Sequence, residues 1–173
     1  QKKDIHYLLS KDILRHQKAA ADEATFLDKG DVYQDDLIRV QAFGSTDVGV
    51  SFLLTCEHKL IFHAGDLNNW HWKDESTEQE VKEAEENFLH ELNVLKAACN
   101  HIDVAMFPVD PRMGSDFARG AEQFIQQIQV KQFIPMHFWE KPEQTLPFGT
   151  YARQNGTAFH LLSQPGETLH IEV

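Results

Sequence analysis

The sequence predicts an α/β fold, a layered sandwich forming one domain over residues 1–173. Strands joined by tight turns dominate the first part of the chain. The later part alternates strand and helix, the pattern of strand-helix-strand units. Two apolar strands end in residues of metal-ligand type, one at Gly65-Asp66 and one at His137. With 173 residues and 42% hydrophobic content, the chain is large enough to close one core. No internal repeat, low-complexity tract or linker divides it.

Each element has a local reason. Ile5 to Leu9 reads as a short apolar strand, and Ser10 is the cap of a helix expected over Asp12 to Ala21. Lys29-Gly30-Asp31 is a turn. Leu37 to Phe43 alternates, so that Ile38, Val40 and Ala42 share one apolar face. Val48 to Thr55 and Lys59 to Ala64 flank Cys56-Glu57-His58, which predicts an antiparallel hairpin whose exit aims Asp66. Ser76 and Thr77 each precede a Gln or Glu by three residues, a capping-box signature for a helix reaching Ala98. Val81, Ala84, Phe88, Leu92 and Leu95 give that helix one apolar stripe. Beyond it the pattern predicts a strand over Ile102 to Phe107, a helix over Asp116 to Gln129 and a strand over Gln132 to Met136. A helix near Phe148 to Gln154 and strands at Ala158 to Leu162 and Thr168 to Val173 complete the expectation. The chain opens at Gln1 without an initiator methionine, and Asp4 to Leu9 already reads as strand, so the expectation is a chain that starts mid-fold.

Composition excludes several function classes. A formal net charge of -11 without clustered Lys or Arg argues against a nucleic-acid partner. Part of the acid has a local explanation: Glu78, Glu80, Glu83, Glu85 and Glu86 crowd the first turns of a helix, facing the positive end of its dipole. No apolar run is long enough to span a bilayer and no signal segment opens the chain, so a cytoplasmic protein without a membrane partner is expected. Cys56 and Cys99 are far apart and show no Cys-x-x-Cys spacing, which implies neither a disulfide framework nor a cysteine zinc knuckle. No Gly-x-Gly-x-x-Gly or phosphate-binding loop is present, which ranks an α/β cofactor-binding protein low.

The chemistry concentrates in Leu60 to Trp72, LIFHAGDLNNWHW, and in Phe133 to Glu140, FIPMHFWE. A lone Gly-Asp is most often only a turn. Its pairing with a second strand-end ligand, both beside aromatics, points to an enzyme site. A hydrolytic metal site needs neutral imidazoles and carboxylates around a Lewis acid with one open position, and Asp66 and His137 supply two such ligands. The ten histidines include no His-x-His or His-x-x-x-His pair, so the commonest local metal signature is absent. His63 and His71 bracket Asp66 and, with Trp70, are candidates for contacts to the ligands or to a substrate. Asp110 and Arg112 lie in a loop after another strand end, where the planar fork of Arg112 suits a phosphate or carboxylate. Trp72 and Trp139 extend the aromatic wall.

FHAGDLNNWHW after a hairpin, with IPMHF as a later strand end, resembles the metallo-β-lactamase-fold metal-dependent hydrolases. The resemblance implies a four-layer αββα sandwich, N-terminally incomplete, of which this chain holds the later two-thirds. It also implies a small-molecule substrate whose ester, lactone, amide or phosphoester bond is attacked by metal-bound hydroxide, with two divalent ions as cofactor. Carried over, the aspartate that bridges two metals falls on Asp66, and the histidine that completes the second falls on His137. Two departures stand out. The His-x-His-x-Asp-His motif that normally precedes a strand like Ile5 to Leu9 is missing. The histidine usually found before the strand into Gly-Asp is replaced by Gly44-Ser45-Thr46-Asp47. There Asp47 is either an oxygen ligand, favouring manganese or magnesium over zinc, or a turn residue opening the hairpin. A second expectation therefore stays open, a non-catalytic remnant of the same fold acting as a binding or scaffold module.

Overall fold

The computed structural model describes residues 5–15 and 24–172. A short parallel pair, β1 (Tyr7–Ser10) with β2 (Ala24–Leu27), encloses α1 (Asp12–Arg15). The rest of the helix expected to reach Ala21 falls outside the described residues. A seven-stranded sheet then runs in chain order, through β3 (Val32–Gln34), β4 (Ile38–Phe43), β5 (Ser51–Cys56), β6 (Lys59–His63), β7 (His101–Pro108), β8 (Gln129–Met136) and β9 (Ala158–Phe159). Its first four strands pair antiparallel and every later pair is parallel. Parallel neighbours need crossovers, and α2 (Glu78–Ala98), α3 (Arg119–Gln127) and α4 (Leu146–Gln154) supply them.

Local chemistry explains the strongest elements. Glu57 (φ 48°) and His58 (φ 66°) make a two-residue turn with positive φ at both positions, the twist that suits a tight hairpin, and Cys56 pairs with Lys59 across it. At the start of α2, the Thr77 side chain accepts from the Glu80 N–H while the Glu80 carboxylate accepts from the Thr77 N–H at 2.8 Å. Thr77, not Ser76, is therefore the cap. Val48 and Gly49 stay outside β5, where Gly49 takes a φ of 88°.

The two faces of the large sheet bury different partners. Phe43, Leu53 and Phe62 point toward the helices and pack with Phe88, Leu92 and Leu95 of α2, Phe124 of α3 and Phe148 of α4. Phe107 stacks on Phe124 with ring centroids 4.5 Å apart. Val40 and Ala42 of β4, with Phe52 and Leu54 of β5, face the other way and meet Leu8 of β1 and Leu27 of β2. The period-2 alternation thus places helices on one face and the small sheet on the other. The described residues show this mixed α/β layering. The only described helix between β1 and β2 is the four-residue α1.

Several boundaries differ from expectation. The helix expected over Asp116 to Gln129 is confined to Arg119–Gln127, because Gln129 and Val130 pair with His101 and Ile102 and so extend β8 backward. Ladder bonds to a buried neighbour outweigh weak helical propensity there. The strand expected at Ala158 to Leu162 is reduced to Ala158–Phe159, an edge strand held by two register pairs to β8. No strand forms at 168–172, where the chain has no described sheet partner. β2 and β3, at four and three residues, are too short to show a period in the sequence.

No helix among the described residues is long and apolar enough to cross a membrane. Cys56 and Cys99 are both free thiols, and burial pushes Cys99 up to about 11.

Asp103 clips three strands together at their entry ends. It lies in β7 with 2% exposure, accepting from the Leu60 N–H of β6 at 2.9 Å and from Lys131 Nζ of β8 at 2.6 Å. Burial alone would raise its pKa. The bonds from Lys131 and Leu60 outweigh that and hold it below the ordinary carboxylate value. A lowered folded pKa stabilises the native state above the unfolded pKa, and that contribution is lost as pH falls through the folded value. Asp103→Asn is accordingly expected to lower stability by about 1–3 kcal/mol at neutral pH. The deficit should narrow as pH drops through the carboxylate range, read by urea denaturation at several pH values.

Candidate metal centre

Asp66, Asp110 and His137 follow β6, β7 and β8 respectively, so three adjacent parallel strands deliver them to one edge of the sheet. That edge, outside the carboxyl ends of parallel strands, is where open α/β sheets carry their sites. The ladder runs one residue past the strands, with Ala64 N–H donating to the Met106 carbonyl and Val109 N–H to the Met136 carbonyl, each at 2.9 Å. The chain then turns sharply. Gly65 has a φ of 58°, and a Cβ there would lie 2.7 Å from the Val50 carbonyl oxygen, so only glycine fits the step into Asp66. His137 (φ 68°), Trp139 (φ 54°) and Trp72 (φ 41°) hold left-handed backbone without being glycine. Among the described residues the only others are the two hairpin-turn residues, so the remaining strain gathers in the loops of this edge, as it does at functional sites.

His137 lies between two carboxylates. Its Nε2 is 3.3 Å from Asp66 Oδ1 and its Nδ1 is 3.1 Å from Asp110 Oδ2. Ionised carboxylates only accept, and a neutral imidazole carries a single N–H. One nitrogen of a neutral ring therefore faces its carboxylate with a lone pair rather than an N–H. Asp110 is wholly buried and its oxygens are heavily used. Arg112 Nε donates to both oxygens at 3.0 and 3.1 Å, Arg112 Nη2 to Oδ2 at 2.5 Å, and the Arg112 backbone N–H to Oδ1 at 3.0 Å. Burial pushes the Asp110 carboxyl up, but the bonds from the Arg112 side chain and backbone and from His137 prevail and keep it below its ordinary value. Asp110 has no exposed surface and bonds His137 and Arg112.

A cavity of about 170 Å³ opens beside His137, lined by Thr46, Asp47, Trp70, Trp72, Arg112 and His137. Trp70 is fixed by its Nε1–H, which donates to the Asp66 carbonyl at 2.8 Å, and its ring sits 5.3 Å from that of His137. Arg112 lies over Trp139 at 4.4 Å, a cation–π stack on the outer rim. The Thr46 hydroxyl donates to the Asn68 carbonyl at 2.6 Å and accepts from the Asn68 N–H at 3.0 Å, stapling the loop that bears Asp47 to the loop that bears Asp66. Sequence reasoning passed over Thr46, whose only signal was its place beside Asp47.

The two histidines that bracket Asp66 do not line this cavity. His63 Nδ1 accepts from the Gly65 N–H at 3.0 Å, which leaves its proton on Nε2; burial holds its pKa below the ordinary imidazole value against the pull of Asp66. His71 is fully buried, bonded through Nδ1 to the Asn69 carbonyl at 2.9 Å, with Nε2 facing Asp116 at 3.8 Å. It braces the loop from within. Asn69 continues that support, donating to Gln123 of α3 at 3.0 Å, which in turn bonds Glu85 of α2.

The donor pair suits a divalent cation. Bonds of about 2.0–2.2 Å at a near-tetrahedral angle place two ligand atoms roughly 3.3–3.6 Å apart, and Asp66 Oδ1 and His137 Nε2 are 3.3 Å apart. Among the described residues no group of three or more His, Cys, Asp or Glu side chains converges on a common point, so Asp47 shares the cavity but does not complete a set.

Sheet order and layering together define a mixed α/β fold with one candidate site at the carboxyl edge of its parallel strands. Three solved structures are similar to it. A protein of Parabacteroides distasonis ATCC 8503 assigned as a metal-dependent hydrolase matches 94% of this chain with a TM-score of 0.65 at 12% identity. The diiron β-hydroxylase CmlA of Streptomyces venezuelae matches 89% with a TM-score of 0.60 at 10% identity. A Thermotoga maritima protein assigned as a Zn-dependent hydrolase of the metallo-β-lactamase superfamily matches 66% with a TM-score of 0.40 at 21% identity. The chain spans 66%, 38% and 50% of the length of these three proteins respectively. No family model matches the sequence, and a search among curated proteins finds no match.

Gly65→Ala is expected to destabilise the protein by more than about 1 kcal/mol, since alanine resists positive φ and meets the Val50 carbonyl. Chemical denaturation checks the loss, and NMR of the His137 ring should show its environment change in the same variant.

Proposed function

We propose that the chain acts as a metal-dependent hydrolase in which Asp66 and His137 hold one or two divalent cations. The observation that carries this reading is the Asp66–His137 pair itself, an acceptor oxygen and an imidazole nitrogen 3.3 Å apart, with His137 also lining a cavity. The fold likeness supports it, since one neighbour is assigned as a metal-dependent hydrolase and another as a diiron enzyme. A cation bound there supplies Lewis acidity and activates water at neutral pH. The remaining ligands, the two-metal count and the complete four-layer sandwich belong to this proposal, as does a cytoplasmic setting, which suits two free thiols.

The protein's own residues then have separable tasks. Trp70 and Trp72 wall the cavity and limit water. Arg112 faces it with a guanidinium fixed on one side by Asp110, ready to orient an anionic or carbonyl oxygen of a substrate. A cavity of about 170 Å³ accommodates a reacting group rather than a whole ligand. A neighbouring recess of about 290 Å³, lined by Pro111, Arg112, Phe138, Trp139, Glu140 and Lys141, shares Arg112 and suits the remainder of a small molecule. The ester, lactone, amide or phosphoester bond is the proposed target class. Zinc suits the imidazole, and participation of Asp47 would favour manganese or magnesium.

The second reading, a non-catalytic module of the same fold, draws support from the incomplete ligand set among the described residues. A shared fold does not fix chemistry. Elemental analysis per chain, with intact mass on the same sample, separates the two: bound metal supports the hydrolase, and none supports the module. Asp66→Ala and His137→Ala are each expected to lower metal affinity by at least about tenfold, since a direct ligand matters no less than the outer partners whose loss costs roughly 10- to 100-fold, with circular dichroism unchanged. Undiminished metal in both variants defeats the assignment.

A further inference from the structure

We infer that Asp110 is a positioning residue that decides which ring nitrogen His137 offers to a cation: by accepting the Nδ1–H, it leaves the Nε2 lone pair turned toward Asp66. The inference rests on the metal reading of Asp66 and His137 and deepens it.

The two carboxylates that flank the ring are not equivalent. Asp66 keeps 39% of its side chain exposed, so water or a cation can serve it, whereas Asp110 has no exposure at all. In a dry setting, an oxygen without a donor is expensive and a lone pair aimed at a carboxylate is repulsive. Arg112 already serves Asp110 Oδ2, so the opposite tautomer would commit the second fault, placing the Nδ1 lone pair 3.1 Å from that oxygen, and would put an N–H where the cation belongs. Arg112 fixes the plane of the Asp110 carboxylate through Nε, Nη2 and its own backbone N–H. The acceptor is therefore held in place before His137 arrives at the end of β8. The local sequence builds this directly: Asp110 caps a single helical turn at Pro111–Met113, with Pro111 at its first position and Arg112 next. An outer carboxylate that orients a metal-binding histidine in this way usually changes metal affinity about 10- to 100-fold when removed.

The test uses the 173-residue chain, free of metal, with ¹⁵N-labelled histidine and His137 signals assigned through His137→Gln. Long-range ¹H–¹⁵N NMR reads the tautomer, and competition titration with Zn²⁺ alone reads affinity. The wild type is expected to show the proton on Nδ1. Asp110→Asn keeps the shape but offers one acceptor oxygen, already claimed by Arg112, and Asp110→Leu offers none. Both are expected to shift His137 toward the Nε2–H form and to weaken Zn²⁺ binding about 10- to 100-fold while remaining folded by circular dichroism. A wild-type proton on Nε2 overturns the inference without any variant. Folded Asp110→Asn protein that keeps the Nδ1–H form and wild-type Zn²⁺ affinity overturns it too, reducing Asp110 to a structural support. If instead Asp66→Ala and His137→Gln leave Zn²⁺ binding unchanged, the metal reading fails by itself, and the tautomer result identifies which claim was lost.

Discussion

The arrangement at the sheet edge depends on one buried charge. Asp110 has no water to satisfy it, so protein donors must be brought to it, and those donors are Arg112 and His137. Meeting that demand fixes the turn after β7, the orientation of the guanidinium that faces the cavity and the ring plane of the histidine after β8. A buried carboxylate is stable only where such partners are in place. The rest of the site is arranged around them: Trp70 against His137, Trp139 under Arg112, and Thr46 closing the loop on the far side.

The sheet makes this convergence possible. β6, β7 and β8 are parallel neighbours, so whatever follows each strand emerges at the same edge within one or two strand spacings. Antiparallel neighbours would have sent alternate loops to opposite ends. The change of direction in the sheet occurs at β6, and Asp66 therefore follows both the last antiparallel strand and the first parallel one. The helices α2 and α3 that make the crossovers also bear the Glu85 and Gln123 contacts that brace the loop after Asp66.

Much of this was readable from residue types, for identifiable reasons. Asp66 and His137 were legible because apolar strands ran into Gly-Asp and into His-Phe-Trp, which marks strand ends. The hairpin and α2 were legible because turn and capping chemistry are local, within three or four residues. Asp110 was legible as a strand-end carboxylate but not in its role, since the direction of a side chain after a turn is set by packing that no short window contains. The place of His71 was not legible for the same reason: close to Asp66 in sequence, it lies beneath the loop and does not line the cavity. β9 and the final segment were overread because an apolar run signals a strand only where a partner edge exists.

The strict chain order of the large sheet has a bearing on how the protein is made. Every strand from β3 to β9 adds beside the one synthesised just before it, so most pairing is available to a growing chain without waiting for a distant partner. Asp66 is therefore in place, next to a finished hairpin, well before β8 exists. His137 reaches the edge only when β8 has docked on β7, where Asp110 and Arg112 are already bonded. An incomplete nascent chain thus presents the Asp66 carboxylate alone, and the carboxylate–imidazole pair is complete only when the sheet is almost closed.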